Sequence, residues 1–166
     1  MMKRPLLKRF RKDESGVAAV EFALWSVGLF VLIAAGLDFG LYYITRSHVD
    51  ESLSATAISA FDARDNVAFT TLPSYARAMA NDNALAVSVS CNGTAGSCTN
   101  LSRSCACLNA DRSFTAQSCG TVCSASGTSA GYYLTLDANA NYSSVVVPSR
   151  LVGNGQISRS ITLRLE

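Results

Sequence analysis

The sequence lacks the residue patterns that mark most catalytic and metal-binding centres. It has a single histidine, His48, and no HExxH, CxxC or phosphate-binding glycine loop, and its one GxSxG match, at 127–131, lies in a Ser/Thr-rich turn. Lysine is absent after Lys12, and from Val17 onward 8 Arg stand against 10 Asp and Glu, a net charge of −2. We therefore expect no enzyme, no cofactor and no small-molecule substrate. The acidic balance argues against nucleic acid as a partner, and His48, without a second ligand nearby, is predicted to be a surface residue.

The N-terminal end combines a basic segment with a long apolar run. Six of the 14 basic residues fall in the first 12 positions: Lys3, Arg4, Lys8, Arg9, Arg11 and Lys12. From Val17 to Leu37 a single side chain in 21 residues is charged, and a helix of that length matches a bilayer core of about 30 Å. The positive-inside rule then keeps the N-terminus in the cytoplasm. We predict a basic cytoplasmic leader at 1–16 and a single transmembrane helix at 17–44.

Three kinds of segment fit this arrangement. A secretory signal peptide fits least well, because the apolar run exceeds the usual length of roughly 7–15 residues. An uncleaved signal anchor fits better. The third reading is cleavage on the cytoplasmic side after Gly16, which would remove the leader and keep the helix; a glycine at the cut lets a protease approach the backbone closely.

Glu21 is the one charged residue in the apolar run, and we expect its carboxylate to pair with a positively charged group. An ionisable group at the centre of a membrane costs roughly 2.5–3.5 kcal/mol on insertion scales. Cleavage after Gly16 would free the α-amino group of Val17, one helical turn from Glu21. When such helices bundle with a small axial stagger, the carboxylate of one can meet the ammonium of its neighbour, and neither charge stays unpaired. Asp38, near the far interface, is predicted to be solvated.

Beyond the apolar run the periodicity predicts an α+β protein. Apolar residues recur at helical spacing from Val49 to Phe61, and a short helix containing Pro73 follows, so 45–82 reads as an amphipathic helical region. Alternation near 85–91, 132–140 and 157–165 predicts strands. We expect a small antiparallel sheet over 83–166 that packs one apolar face on the helix.

Six cysteines lie close together in a region rich in Ser, Gly, Thr and Asn. They are Cys91, Cys98, Cys105, Cys107, Cys119 and Cys123. An even number on the exported side favours disulfides, each worth roughly 2–4 kcal/mol. The connectivity stays open, since six cysteines allow 15 pairings. A zinc site is the alternative, but the spacings do not form paired CxxC knuckles, and we predict a disulfide-rich loop at 91–123 with no metal.

The N-terminal motif resembles a known family. The stretch ESGVAAVEFAL, followed by Gly36, Asp38, Gly40, Arg46 and a small-residue helix through Ala60, is similar to the TadE-like minor pseudopilins of the tight-adherence (Tad or Flp, type IVc) pilus system. The resemblance implies a pilin-like subunit, cleavage between Gly16 and Val17 by a prepilin peptidase, and a role for Glu21 and Phe22 in helix packing and subunit docking.

The resemblance also implies a place and a set of partners. The protein would be a single-pass protein of the bacterial inner membrane with a periplasmic C-terminal domain, and it could enter the pilus. Its partners would be the membrane, the prepilin peptidase, other pilins and pseudopilins, and the inner-membrane platform proteins of the Tad system. The alternative is an uncleaved, membrane-anchored binding module or adhesin with a disulfide-stapled loop.

Overall fold

One long helix dominates the structure, a computed structural model that describes residues 15–166. Helix α1 runs without interruption over Ser15–Asp62, 48 residues or about 72 Å at 1.5 Å per residue. The sequence permits this length because no proline occurs between Pro5 and Pro73. Most of the predicted leader lies outside the described residues.

The two halves of α1 have different surroundings. Large apolar side chains of the first half, from Val17 to Leu37, are exposed, and this is the one helix within residues 15–166 that is long and apolar enough to cross a membrane. In the second half Val49, Leu53 and Ala60 are buried in the core. Phe61, predicted for the same apolar face, is instead 46% exposed, and the Arg64 guanidinium lies over its ring.

A second, short helix packs against α1. Helix α2 covers Leu72–Ala80, with Pro73 in its first turn, where the missing N–H costs no hydrogen bond. It ends at Asn81 in the left-handed conformation, with φ of 51°. Leu72 and Ala76 are buried.

Within residues 15–166, six strands form two antiparallel sheets. The strands are β1 Ala86–Cys91, β2 Thr94–Ala95, β3 Cys105–Leu108, β4 Phe114–Gln117, β5 Tyr133–Asn141 and β6 Gln156–Arg164. The larger sheet has the order β2-β1-β5-β6, and β3 pairs with β4 in a separate hairpin. Leu134, Leu136 and Ala138 of β5 are fully buried and share one core cluster with Val49 and Leu53 of α1. The predicted α+β class, with a long apolar helix on a small antiparallel sheet, is confirmed.

Candidate functional site

The predicted processing and packing residues lie on the free half of α1. Gly16, Val17, Glu21 and Phe22 are all exposed, and a side chain added at Gly16 would meet no atom within 4 Å. Glu21 makes no ion pair within residues 15–166. Within residues 15–166, nothing covers the helix surface at these four positions.

The helix geometry places Val17 and Glu21 one turn apart. Both lie in regular α-helix, and residues i and i+4 fall on nearly the same helix face about 6 Å apart along the axis. A neighbouring helix shifted by about one turn would bring its residue 17 level with this Glu21. The sequence prediction that these two positions share a face is consistent with the helix observed.

Asp38 does not point into solvent, and that prediction is wrong. Its side chain is buried, with 2% exposed, and it accepts hydrogen bonds from the backbone N–H groups of Val145, Val146 and Val147 at 2.7–3.1 Å. Three donors compensate a buried carboxylate for the water it loses. Asp38 thereby fastens the chain after β5 to the point where the apolar run of α1 ends.

Aromatic contacts continue this junction one turn further along α1. Tyr142 donates a hydrogen bond of 2.6 Å to the carbonyl oxygen of Asp38, and its ring meets that of Tyr42 edge to face at 5.4 Å. Burial raises the pKa of the Tyr142 phenol, and the Asp38 carboxylate raises it further, which favours the protonated hydroxyl that donates this hydrogen bond. A Cβ at Gly153, where φ is +67°, would lie 2.9 Å from the Tyr42 hydroxyl, which leaves room for glycine only.

An ion pair links α1 and the sheet at a point further from the apolar run. The Arg159 guanidinium of β6 binds the Asp50 carboxylate, and this hydrogen bond raises the pKa of Arg159. Contacts at 38, 42 and 50 thus align β5 and β6 along the helix. Of these three contacts, the one at Asp38 lies nearest to the apolar run.

The six cysteines form three disulfide bonds, of which Cys91–Cys98 packs in the main core and the other two contribute to a separate small cluster. The bonds are Cys91–Cys98, Cys105–Cys119 and Cys107–Cys123, which gives the connectivity that the sequence left open. Because all six thiols are consumed, they provide no thiolate ligand for a metal. Within residues 15–166 no group of three His, Cys, Asp or Glu side chains is arranged to hold a metal ion.

The cysteine-rich segment is fixed to the turn that follows α1. The Asn100 side chain pairs with both backbone groups of Val67, at 3.0 Å each, and Arg103 donates to the carbonyl of Arg64. Sequence reasoning predicted the disulfide-rich segment and found neither this attachment nor the Asp38 junction. An acidic residue just after the apolar run was the visible signal for the junction, but its donors lie more than 100 residues away in the chain.

Comparison with known proteins gives one match. A model of the family described as TadE-like protein matches residues 16–57, a segment that lies wholly in α1 and includes Gly16, Glu21 and Asp38. No curated protein and no solved structure matches the chain. The family resemblance is thereby confirmed for residues 16–57: this segment matches the TadE-like family, which is consistent with a protein of the Tad pilus system.

Proposed function

We propose that the protein is a minor pseudopilin that takes part in the assembly of Tad-type pili. The observation that carries the proposal is the TadE-like segment itself, in which Glu21 stands exposed on a helix whose surrounding large side chains are apolar and exposed. The role is structural and not enzymatic. The helix would anchor the chain in the inner membrane, with the sheet domain in the periplasm.

Glu21 would act in subunit docking. After cleavage between Gly16 and Val17 by a prepilin peptidase, the new ammonium group of one subunit would pair with the Glu21 carboxylate of another. In a membrane an unpaired charge is costly, so the pairing favours one axial stagger over others. Phe22, 75% exposed, would contribute apolar contact beside this pair. Partners in this scheme are pilins, other pseudopilins and the platform proteins of the Tad system.

Processing is tested by substitution at the glycine before the cut. Gly16→Val should block cleavage, because the branched side chain would meet the peptidase at the scissile bond. Gly28→Val is the matched control, since Gly28 lies in the same helix and also has no atom within 4 Å of an added Cβ. N-terminal sequencing of both membrane-extracted variants should find Val17 first in the control alone. A Gly16→Val chain processed like the control would remove the site assignment.

The competing function is that of an uncleaved, tethered binding module. The disulfide-stapled segment favours it, because residues there are held rigidly at the end of the molecule opposite the apolar run and Leu101 is 81% exposed. This function requires neither a cut after Gly16 nor a charge at position 21. Retention of residues 1–16 in the native protein would support it.

A further inference from the structure

The connection between β5 and β6 forms an exposed apolar surface beside the apolar run of α1. We call residues 142–155 the β5–β6 tip. Val147 and Val152 of the tip are buried, whereas Val145, Val146 and Leu151 are exposed, Val145 to 87%. Hydrocarbon surface of this kind is stabilised when it leaves water, by about 25 cal/mol for each Å².

The contacts along α1 determine the height of the tip. Arg159 meets Asp50, Tyr142 meets Tyr42, and the N–H groups after Tyr142 meet Asp38. The chain therefore descends along the helix as it leaves β5, towards the apolar run. The 21 residues that end at Leu37 would span about 31 Å at 1.5 Å per residue, so in a membrane that α1 crosses the tip would lie level with the edge of the bilayer core.

We propose that the β5–β6 tip inserts into the outer headgroup region of the same membrane that α1 spans, as a second membrane contact. This inference rests on the proposed membrane anchoring of α1. Val145, Val146 and Leu151 would enter the boundary between headgroups and acyl chains. Arg150, the one charged residue of the tip, would keep its guanidinium at the phosphates while its stem follows the apolar surface. The occupant is a lipid surface and not a second protein.

Two features of the junction suit this role. The hydrogen bonds from Val145–Val147 to the buried Asp38 carboxylate satisfy three backbone donors that would otherwise need water, which is scarce near hydrocarbon. They also tie the tip rigidly to α1. Two membrane contacts, α1 and the β5–β6 tip, would then fix the tilt of the sheet domain relative to the membrane. A transmembrane helix alone would leave that tilt free.

Depth-dependent fluorescence quenching tests the proposal. The full chain is placed in vesicles of phosphatidylethanolamine and phosphatidylglycerol with bromine atoms either near the headgroups or deep in the acyl chains. Trp25, the only tryptophan, reports on the span in the native chain. In a Trp25→Phe background, Val145→Trp and Leu151→Trp report on the tip. Leu101→Trp in the same Trp25→Phe background is the matched control. Leu101 is 81% exposed, between Leu151 at 64% and Val145 at 87%, but it lies at the far end of the molecule.

The expected result separates the three sites. Both tip variants should show blue-shifted emission, and bromines near the headgroups should quench most of their fluorescence intensity. Leu101→Trp should keep its fluorescence with either bromine position. Trp25 should be quenched by bromines deep in the acyl chains. Tip variants quenched no more than Leu101→Trp, with Trp25 still quenched, would overturn the inference and leave the anchor intact. An unquenched Trp25 would overturn the anchoring proposal, and the tip contact with it.

Discussion

Two carboxylates on one helix show how surroundings decide a residue's role. Asp38 is buried and receives three backbone N–H groups from its own chain, so its charge is used inside the subunit. Glu21 is exposed among apolar side chains, so its charge is available to another molecule. The two residues are seventeen positions apart and chemically alike; Asp38 serves the fold, and we propose that Glu21 serves assembly.

Replacing Asp38 by asparagine should release the β5–β6 tip. The amide keeps one acceptor oxygen but loses the charge that strengthens all three hydrogen bonds. Amide hydrogen exchange at Val145–Val147 should become faster by about one to two orders of magnitude, while β5 stays protected. Asp137→Asn is the control, because the Asp137 side chain makes no hydrogen bond within residues 15–166. Unchanged exchange in the Asp38 variant would show that the carboxylate does not hold the tip.

Glu21→Gln should separate processing from assembly. The substitution keeps the shape of the side chain and removes the charge that would pair with a neighbour's N-terminal ammonium. We expect normal cleavage after Gly16 and few or no pili, judged by N-terminal sequencing and electron microscopy of the producing cells. Glu51→Gln, at an exposed position in the second half of α1, should leave both unchanged. Normal pili with Glu21→Gln would refute the pairing.

At the scale of elements, hydrophobic periodicity predicted the long strands and missed the short strands, whose formation depends on contacts between residues distant in the chain. Alternation at 132–140 and 157–165 placed β5 and β6 to within one residue, because nine-residue strands with one buried face carry a strong signal. Strands β2, β3 and β4 have two to four residues and no such signal. Disulfides and neighbouring loops hold these strands in place, and local sequence shows the cysteines but not which of them pair.

Reduction of the disulfides should unfold the β3–β4 hairpin before the larger sheet. The buried cluster around β3 consists of Cys105, Cys107, Cys123 and Ala130 alone, so little remains once two bridges worth roughly 2–4 kcal/mol each are opened. The larger sheet has its own apolar core. Hydrogen exchange after reduction should therefore rise sharply in β3 and β4 and little in β5 and β6. Equal loss of protection in both sheets would show that the bridges support the whole domain.

At the scale of the whole molecule, the parts fall in a clear order along α1. The exposed apolar half carries Gly16 and Glu21, the Asp38 junction follows, and the disulfide-bonded segment is fastened near Val67 at the far end. About 36 Å of helix separates Asp38 from Asp62 at 1.5 Å per residue. An apolar helix at one end and a disulfide-bonded segment at the other suit a subunit that is held in a membrane by its helix and presents that segment away from the membrane.

The N-terminal residue and intact mass of the native, membrane-extracted protein test the central claim most directly. Minor-pseudopilin processing predicts a chain that begins at Val17. Its mass should rise on reduction by one hydrogen for each of the six cysteines that the three bridges join. A chain that begins at Met1 would contradict the account, because Glu21 would then have no new ammonium group to meet, and would favour the tethered binding module.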